Sequence, residues 1–507
     1  MTARTLMIQG TCSSAGKSLL TAALCRIYHR EGLRVVPFKA QNMSNNAAVC
    51  TDGGEIGRSQ AFQALACGIE PDVRMNPVLL KPEADSRSQI IVNGKPWNNL
   101  DARDYFERSQ RLWNEITTAL DSLRAEYDLV IMEGAGSPAE LNLQQYDLVN
   151  MRVARYAEAP VLLVGNIELG GIFAQLLGTL DLLSLEDRQQ VRGLIVNKFR
   201  GDQSLFDDGV SILEERSGIP VLGVVPWVPD LNLPEEDAAP VQETRVPATV
   251  DSNVLDVAVI YFPRISNLDD VDALRSESNV QIRFVKSTRQ LGYPDVILLP
   301  GTKSTVDDLL WLRETGLSAA IVAAAESGAE VIGLCGGYQM LGERIENPQR
   351  LESEIAAAEG LGLLPVTTTF EAGDKQTRLT SAEVLESSPI PGTEGMTITG
   401  YEIHQGISAS PNGWLQIEGQ SSLCGSSNAD NSVWGCYLHG LFHNDDFRSA
   451  WRDSIFTRKG LSIDRLSSLS FADLTERELD RLADEVEKAL GIEALMKLIN
   501  REQEAVS

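Results

Sequence analysis

The sequence lacks any apolar run that approaches the ~18 residues of a membrane-spanning helix, and the apolar stretch in its first ten residues is too short for a signal peptide. Histidine is scarce, with four in 507 residues, and the seven cysteines form no CxxC pair. An odd number of scattered cysteines argues against a disulfide framework and a zinc site, and it favours a reducing compartment. The expected location is therefore the cytoplasm.

The sequence also contains few positively charged residues relative to negatively charged ones. Lysine and arginine number 44 against 71 aspartates and glutamates, which gives a formal net charge of −27. This balance argues against nucleic acid and an anionic membrane surface as partners, although it also serves solubility. Apolar residues make up 43% of the chain, enough to build cores for the two to four domains that its length predicts. Small molecules are the expected partners, with self-association left open.

The second half of the chain is organised around the string EVIGLCGGYQMLG, residues 330–342. Its first apolar run predicts a buried strand, and the apolar residues after the two glycines predict a helix. Cys335 lies at the turn between them, as in a nucleophile elbow. The helix dipole there favours a thiolate, and the N–H of Gly336 is placed to donate to an oxyanion. A buried structural cysteine is the alternative interpretation.

A thiol nucleophile needs a base for proton transfer. His404, His439 and His443 all follow the cysteine in the sequence. His439 lies in WGCYLHGLF, where a strand-like run precedes it and a glycine follows, so it is the expected partner. The string PGTK, residues 300–303, follows another predicted strand, and its Gly301 is a candidate for a second oxyanion donor.

Near the N-terminus, a strand-like run leads into GTCSSAGKS, residues 10–18, and then into a helical pattern. This is the context of a P-loop, whose N–H groups bind phosphate oxygens. Lys17 would reach the β/γ phosphates of ATP, and Ser18 would ligate Mg²⁺. Five residues rather than the usual four separate the first glycine from the Gly-Lys pair. The alternative interpretation is a Gly/Ser-rich turn that binds nothing. The ATP-binding residues predicted in this loop are Gly10, Thr11, Gly16, Lys17 and Ser18. Asn197 and Lys198 are also predicted to bind ATP, because they follow a later strand at the position where P-loop proteins often read the base.

Two acids are candidate Mg²⁺ ligands. Glu133 ends the hydrophobic strand YDLVIME, which is the place of a Walker B carboxylate, although a plain strand-end acid is the alternative. Glu55, in GGEIGRSQ, is the second candidate carboxylate. An amide-rich loop follows a strand-like run in LRVVPFKAQNMSNNA, residues 33–47. It is either an ordinary solvated loop or a loop that faces substrate at the carboxyl edge of a parallel sheet. The candidate substrate-binding residues in this loop are Lys39, Gln41, Asn42 and Asn45.

Strands that alternate with helices predict an α/β chain whose first domain holds a doubly wound, mostly parallel sheet. The expected boundaries are 1–228 for this P-loop domain, 229–253 for a proline-rich linker, 254–460 for a second α/β domain and 461–507 for a helical C-terminal segment that packs on the rest. MNPVLLKP, residues 75–82, predicts a further strand of the first domain, and residues 100–123 predict an amphipathic helix.

The motifs and their order resemble known families. The first domain resembles dethiobiotin-synthetase-type P-loop ligases, and the second resembles class I, or triad-type, glutamine amidotransferases. The strings PFKAQNMSNN, PRISNLDD, LPGTKST and GYEIHQG, in this order, are similar to those of the cobyric acid synthases of cobalamin biosynthesis. This resemblance covers nearly the whole chain.

The resemblance implies a ligase that uses ATP, Mg²⁺ and glutamine to amidate the b, d, e and g carboxylates of adenosylcobyrinic acid a,c-diamide. Cys335 would attack the glutamine amide, and His439 would transfer the proton. The released ammonia would attack an acyl phosphate made in the P-loop domain.

This chain departs from the families' patterns at two positions. Class I amidotransferases usually carry Glu two residues after the catalytic histidine, where this chain has Leu441. Glu402 or a backbone carbonyl is therefore expected to orient His439. Asn166 stands where the family pattern often has Asp, which weakens any metal role there.

Two other functions fit the same motifs. One is a related glutamine-dependent amidoligase that acts on another acid, such as the substrate of the earlier a,c-diamide step or a cell-wall precursor lipid. The other is a regulatory P-loop ATPase with an inactive amidotransferase-like domain, which only the missing glutamate supports.

Overall fold

The computed structural model describes residues 2–84, 87–101, 109–229, 231, 233, 254–277, 279–371, 373, 375–410, 412–460 and 469–500. These residues form two compact units. The first unit comprises the described residues of 1–44, 54–237 and 475–507, and the second comprises those of 45–53 and 238–474. None of the helices in the described ranges is long and apolar enough to cross a membrane. Most of the predicted linker, 229–253, lies outside the described residues.

A parallel sheet forms the centre of the first unit. Six of its described strands pair in the order Val221–Pro226, Val191–Phe199, Val161–Asn166, Arg4–Gly10, Leu129–Glu133 and Val35–Phe38, each parallel to its neighbours. Successive side chains of the central strand enter different cores, with Leu6 and Ile8 in one and Met7 in the other. Both faces of the sheet are therefore covered, as its continuous apolar strands require. The predicted doubly wound sheet is confirmed.

Helices supply the two covering layers of this unit. They are Lys17–Arg30, Arg58–Ala66, Ser109–Glu126, Met151–Tyr156, Ile172–Leu182, Leu185–Gln190, Asp207–Ser217, the part of Phe471–Leu490 from Thr475 onward, and Ile492–Ile499. Short 3-10 turns occur at Ser13–Ala15, Val73–Met75, Gln144–Tyr146 and Gln203–Phe206. The C-terminal helices belong to the core of this unit, because Leu482 and Val486 are buried there and the Tyr28 hydroxyl donates to the Leu495 carbonyl at 2.8 Å.

A separate small sheet contains the strand predicted in MNPVLLKP and corrects one other sequence expectation. Its strands are Gln41–Met43, Val78–Ala84, Arg87–Val92 and Lys95–Asp101, and only the first pair is parallel. The strand in MNPVLLKP therefore lies in this sheet rather than in the main parallel one. The helix predicted from residue 100 instead begins at Ser109, and Leu100 and Asp101 belong to a strand. Glu55–Gly57 is a further short strand.

The second unit also has a central, mostly parallel sheet. Its described strands pair in the order Val280–Val285, Leu255–Ile260, Val296–Leu299, Glu330–Leu334, Val433–Cys436 and Ser426–Ser427, and only the last pair is antiparallel. Its helices are Asp272–Arg275, Thr288–Leu291, Thr305–Glu314, Leu317–Glu326, Gly336–Leu341 and Asp445–Lys459, with 3-10 turns at Leu268–Val271 and Leu441–His443. This arrangement confirms the predicted second α/β domain.

Smaller sheets complete the second unit. One contains Ala357–Glu359, Arg344–Glu346, Thr367–Thr369 and Ile407–Ala409, and another contains Thr397–His404, Gln376–Val384 and Leu415–Ile417. The short strand Ala47–Val49 packs against the strands Gln376–Val384 and Thr397–His404. The second unit thus recruits a piece of chain from near the N-terminus.

A buried carboxyl group supports the loop that carries Gly301. The Thr302 hydroxyl donates to Asp308, which lies in the first turn of the helix Thr305–Glu314 and is 1% exposed. Burial raises the pKa of Asp308 to about 7, although the hydrogen bond from Thr302 opposes this shift. At acidic pH the folded chain therefore holds this carboxyl group in its neutral form.

Replacing Asp308 with Asn should change how stability depends on pH. An unfolded aspartate has a pKa of ~3.9, so the wild-type chain binds an extra proton on folding and loses stability as pH rises from about 4 to about 7. Asp308→Asn avoids this loss and should be more stable above pH 7, by up to roughly 4 kcal/mol. Urea unfolding across this pH range measures the difference. A constant difference between the two proteins at all pH values would contradict the prediction.

Candidate active sites

The candidate site of the second unit lies at the carboxyl edge of its parallel sheet. Asp270, Gly301, Cys335 and His439 each follow one of four adjacent strands of that sheet. Because the carboxyl ends of parallel strands meet at one edge, residues far apart in sequence come together there.

Cys335 occupies the strained turn that the sequence predicts. Its backbone has φ 51° and ψ −109°, between the strand Glu330–Leu334 and the helix Gly336–Leu341. A positive φ is uncommon for a residue with a side chain and costs conformational energy. A Cβ at Gly337 would lie 1.9 Å from the Leu299 carbonyl oxygen, so only glycine fits behind the thiol. The surrounding chain thus holds the sulfur in one orientation, 3.6 Å from the carbonyl oxygen of Ile403.

The two predicted oxyanion donors flank this turn. A Cβ at Gly336 would lie 3.2 Å from the backbone nitrogen of Thr302, so the elbow is in contact with the PGT loop. A Cβ at Gly301 would lie 3.1 Å from Cε1 of His439. The structure therefore brings both glycines, the thiol and the imidazole into one small region, and their role as oxyanion donors stays a prediction.

His439 is held by a carboxylate that sequence reasoning missed. Its Nδ1 lies 2.7 Å from Oδ2 of Asp270, and the other carboxylate oxygen accepts the N–H of Gly440 at 2.7 Å. Both side chains are 1% exposed. The ring also stacks on Tyr401, with centroids 5.0 Å apart and planes 14° apart. Since Nδ1 is occupied, Nε2 is the nitrogen available to Cys335.

Electrostatics favour the protonated form of this histidine. Burial alone would lower the pKa of His439, but the charges of Asp270 and of a Cys335 thiolate outweigh it and raise that pKa well above 6.5. An imidazolium between a carboxylate and a thiolate is the arrangement that activates a cysteine nucleophile. The other two downstream histidines have different partners, because His404 stacks on Tyr437 and His443 contacts the carbonyl oxygen of Asp269.

The expectation that Glu402 or a backbone carbonyl orients His439 is wrong. Side chains alternate along a strand, so Tyr401 faces the imidazole and its neighbour Glu402 points the other way. Glu402 accepts hydrogen bonds from Arg378 at 2.6 and 2.7 Å instead. The sequence carries only a partial signal for Asp270: the acid pair in PRISNLDD follows a strand-like run, but the sequence does not show which of the two acids faces the imidazole.

A cavity of about 260 Å³ lies on the side of this strand that Glu402 faces. It is lined by Tyr338, Arg378, Glu402, His404, Ser408 and Tyr437, among others. The carbonyl of Ile403, between two of these residues, contacts the thiol of Cys335. The cavity therefore combines groups of opposite charge close to the nucleophile.

The candidate site of the first unit occupies the carboxyl edge of the other parallel sheet. The P-loop follows the central strand, and Gly16 adopts φ 88° immediately before the helix Lys17–Arg30. Lys17 folds back over the loop, and its Nζ donates to the carbonyl oxygens of Cys12 at 2.9 Å and Gly136 at 3.2 Å. These carbonyl groups hold the ammonium group at the loop where phosphate oxygens would bind.

Neighbouring strand ends hold the P-loop in shape. Asn197 donates to the carbonyl oxygen of Ala15 at 2.8 Å, and Asn166 donates to that of Ser14 at 3.1 Å. Asn166 therefore supports the loop rather than a metal. The N–H of Thr11 donates to the carbonyl oxygen of Val164 at 2.9 Å, so this predicted ATP-binding residue does not have its N–H available for phosphate.

Glu133 is the centre of a buried polar cluster next to the P-loop. Its Oε1 accepts hydrogen bonds from Ser18 at 2.8 Å and from Lys39 at 3.0 Å, and its Oε2 accepts one from Gln63 at 2.6 Å. Within the described ranges, no group of three or more His, Cys, Asp or Glu side chains could hold a metal ion. Magnesium needs fewer protein ligands, because phosphates and water complete its shell. The hydroxyl and carboxylate oxygens of Ser18 and Glu133 fit that requirement.

A cavity of about 700 Å³ lies beside the P-loop, and its volume is within the range of ligand pockets. Its lining includes Lys17, Ser18, Lys39, Gln41 and Asn42. The first part of the amide-rich loop therefore lines the same cavity as Lys17 and Ser18, and its role in substrate binding stays a prediction.

Two candidates have other surroundings. Glu55 forms a buried ion pair with Lys81, so its metal role stays a prediction. Asn45 belongs to the second unit.

A second cavity, of about 220 Å³, opens on the other side of the P-loop. It is lined by Gly16, Leu20, Asn197, Lys198, Trp227, Leu482 and Val486, among others. Most of this lining is apolar, and the asparagine and lysine are the residues predicted to read a nucleotide base.

Comparisons with known proteins agree with both sites. Residues 6–241 match the model of the CobQ/CobB/MinD/ParA nucleotide binding domain, and residues 256–447 match that of the CobB/CobQ-like glutamine amidotransferase domain. The chain is 50% identical to a cobyric acid synthase of Chloroflexus aurantiacus, over 99% of this chain and 100% of that one. It is 48% identical to one of Herpetosiphon aurantiacus, over 99% of each chain. The chain belongs to the cobyric acid synthase family.

This membership confirms the predicted class of enzyme. Cobyric acid synthases are ATP-dependent ligases that form amides with glutamine as the nitrogen source, and the relatives match this chain through both domains. A similar match, 46% identical over 98% of this chain and 99% of the other, is to a cobyric acid synthase of Sorangium cellulosum. Neither the amidoligase acting on another acid nor the regulatory ATPase is favoured by these relatives.

Replacing Asp270 with Asn should lower the pKa of His439. The carboxylate is the main group that opposes the effect of burial on this ring, so its loss leaves the neutral imidazole favoured. Nuclear magnetic resonance titration of ¹⁵N-histidine, with His439→Gln to assign the signal, measures the change.

Glu402→Gln is the matched control for this titration. It also removes a buried carboxylate, but one that faces away from the ring, and it should leave the pKa of His439 unchanged. An unaltered pKa in Asp270→Asn would contradict the assignment of Asp270 as the partner of His439.

Proposed function

We propose that this chain amidates the b, d, e and g carboxylates of adenosylcobyrinic acid a,c-diamide to give adenosylcobyric acid. Glutamine supplies the nitrogen and ATP activates each carboxylate. The observation that carries this proposal is the pairing of a Cys335–His439–Asp270 constellation with a P-loop cavity on the same chain. Small molecules are the partners, and the cytoplasm is the proposed location.

Glutamine is hydrolysed in the second unit. The Cys335 thiolate attacks the amide carbon, and the N–H groups of Gly336 and Gly301 stabilise the oxyanion. His439, held by Asp270, gives the proton that the departing ammonia needs and then takes one from the water that cleaves the thioester. The products are glutamate, ammonia and the free thiolate.

The cavity beside the thiol suits the amino-acid end of glutamine. Its Arg378 guanidinium matches an α-carboxylate, and its Glu402 carboxylate matches an α-ammonium group. These two side chains satisfy each other in this structure, and a zwitterion supplies the same complementary charges to both. This assignment also explains why Glu402 is buried beside the nucleophile without contacting the base.

ATP binds in the first unit. The N–H groups of the P-loop, which includes Gly10 and Gly16, bind its phosphates, Lys17 turns from the loop carbonyls to the β/γ phosphates, and the base enters the cavity beside Asn197 and Lys198. Bound Mg²⁺ would neutralise phosphate charge, and Ser18 and Glu133 would hold it. Thr11 then contributes its place in the loop, since its N–H donates to Val164 and its hydroxyl donates to Gln175.

The carboxylate substrate is activated before ammonia reaches it. A carboxylate oxygen attacks the γ-phosphorus, ADP leaves, and an acyl phosphate forms. Ammonia then attacks the acyl carbon, phosphate leaves, and an amide remains. The lining of the 700 Å³ cavity includes Lys39, Gln41 and Asn42, whose polar groups suit a large, multiply charged corrinoid.

Single replacements should separate the two reactions. Cys335→Ser should lower glutamine-dependent amidation by roughly 10³-fold or more and leave amidation with added ammonium salt intact. Lys17→Ala should stop both, because no acyl phosphate forms. Mass spectrometry of cobyrinic a,c-diamide incubated with ATP and glutamine measures the amides formed.

Either of two results would overturn the proposal. One is a wild-type protein that makes no amide on the corrinoid. The other is a folded Cys335→Ser protein that uses neither glutamine nor ammonia, because the two reactions would then not be separate.

A further inference from the structure

The cavity of about 220 Å³ beside the P-loop is lined in part by the C-terminal end of the chain. Leu482 and Val486 contribute to this lining, and both lie on the helix Phe471–Leu490. From Thr475 onward this helix belongs to the first unit, although it follows the whole second unit in the sequence. Residues four apart lie on one face of a helix, so the two side chains form a single apolar surface. We call residues 475–490 the tail helix.

The tail helix is attached to the helix that begins at the P-loop, Lys17–Arg30. Arg26 of that helix donates to Asp480 at 2.8 Å, and Arg30 donates to Asp484 at 2.7 Å. Apolar side chains of both helices are buried in one core. Exposed ion pairs contribute little stability by themselves, so apolar packing supplies most of it. The ion pairs fix the position of the tail helix along its neighbour.

The tail helix also approaches the strand Val221–Pro226 very closely. A Cβ at Gly223 would lie 2.2 Å from the carbonyl oxygen of Ala489, so only glycine fits at this point of the strand. The absence of a side chain lets the two backbones come together. Contacts with a helix and with a strand thus hold Leu482 and Val486 in fixed positions at the cavity.

The P-loop and the segment after this strand supply further parts of the lining. Gly16 and Leu20 line the cavity together with Trp227. The N–H of Trp227 donates to the carbonyl oxygen of Phe199 at 2.8 Å, and the guanidinium carbon of Arg200 lies 4.0 Å from the centre of the indole ring. The indole therefore has a defined position, and the cavity is a built site with an aromatic ring and aliphatic side chains.

We propose that the tail helix is part of the nucleotide site, and that Leu482 and Val486 contact the base of ATP. Phosphates bound at the P-loop leave the rest of the nucleotide within reach of this cavity, because Gly16 belongs to both. The flat faces of a purine are apolar, and aliphatic and indole side chains remove them from water. The cavity is smaller than the roughly 300–1,000 Å³ of whole-ligand pockets, as expected if it takes only the base. The inference rests on the proposed function, in which the P-loop binds ATP.

Hydrogen bonding inside the cavity explains why apolar contact is needed. The Asn197 amide donates to the carbonyl oxygen of Ala15 at 2.8 Å and accepts the N–H of Lys198 at 2.9 Å. An amide has two N–H donors and two acceptor lone pairs, so half of this capacity is already used to hold the P-loop. Leu482 and Val486 then supply affinity for the base. They contact no reacting atom, so they act on nucleotide binding rather than on the chemical step.

Replacing Leu482 with Ala should raise the dissociation constant of a non-hydrolysable ATP analogue about tenfold, because losing methylene contacts in a hydrophobic pocket commonly costs at least this much. Isothermal titration calorimetry with Mg²⁺ present, and without corrinoid or glutamine, measures the change. In ammonia-dependent amidation the KM for ATP should rise by a similar factor, with little change in kcat. Leu482→Met, which keeps an apolar side chain of similar volume, should recover most of the affinity.

Leu479→Ala is the matched control. Leu479 is a buried leucine one turn earlier on the tail helix, and it does not belong to the described lining of the cavity. Its replacement should lower the melting temperature at least as much as Leu482→Ala does, and it should leave the affinity for the analogue unchanged. Equal affinity of wild type and Leu482→Ala would overturn the inference, as would an equal loss of affinity in Leu479→Ala.

A second measurement uses the wild-type chain and does not depend on whether Leu482→Ala folds. Irradiation with an ATP analogue that carries an azide on its base attaches the base to the side chains that it contacts, and peptide mass spectrometry locates them. Label is expected within residues 475–490, and excess ATP should prevent it. ATP-protected label that excludes this segment would overturn the inference. Failure of the proposed function is a separate result, because the wild-type chain would then bind no ATP analogue in the calorimeter or form no amide on the corrinoid.

Discussion

The hydrogen bond between His439 and Asp270 is the interaction on which the proposed chemistry of the second unit depends. Burying an imidazole disfavours its charged form, and a buried carboxylate is costly unless it is paired. At 2.7 Å each group compensates the other, and the second carboxylate oxygen is satisfied by the N–H of Gly440. The pair therefore fixes which ring nitrogen faces the thiol and keeps a charged site stable in a dry interior.

The P-loop site also contains a buried charged group that hydrogen-bond partners compensate. Glu133 is buried, and three donors of different chemistry satisfy its oxygens: the Ser18 hydroxyl, the Lys39 ammonium group and the Gln63 amide. Lys39 neutralises a charge that would otherwise be isolated. Such a cluster is prepared for cations and phosphates, since it already contains the hydroxyl and carboxylate oxygens that a hard metal ion prefers.

Each unit places its reactive groups by the same device. A parallel sheet collects the loops that follow its strands at one edge, and strained or glycine-rich turns aim the reactive atoms away from the sheet. Cys335 at φ 51° and Gly16 at φ 88° are the points where each turn departs from ordinary backbone geometry. The strands below hold these turns and so position the candidate catalytic groups.

Local patterns in the sequence were sufficient to predict the strand–turn–helix segments, the P-loop, Cys335 and the parallel sheets, because each depends on residues that are neighbours in the chain. His439 was the histidine predicted among the three that follow the thiol, because a strand-like run precedes it and a glycine follows it. Asp270 could not be predicted in this way. The two adjacent acids of PRISNLDD differ in environment only after folding, when one faces His439 and the other faces Tyr401. Strand alternation likewise turned Glu402 away from the base. Only the tertiary structure decided these partners, because contacts across more than a hundred residues depend on strand order and side-chain direction rather than on local pattern.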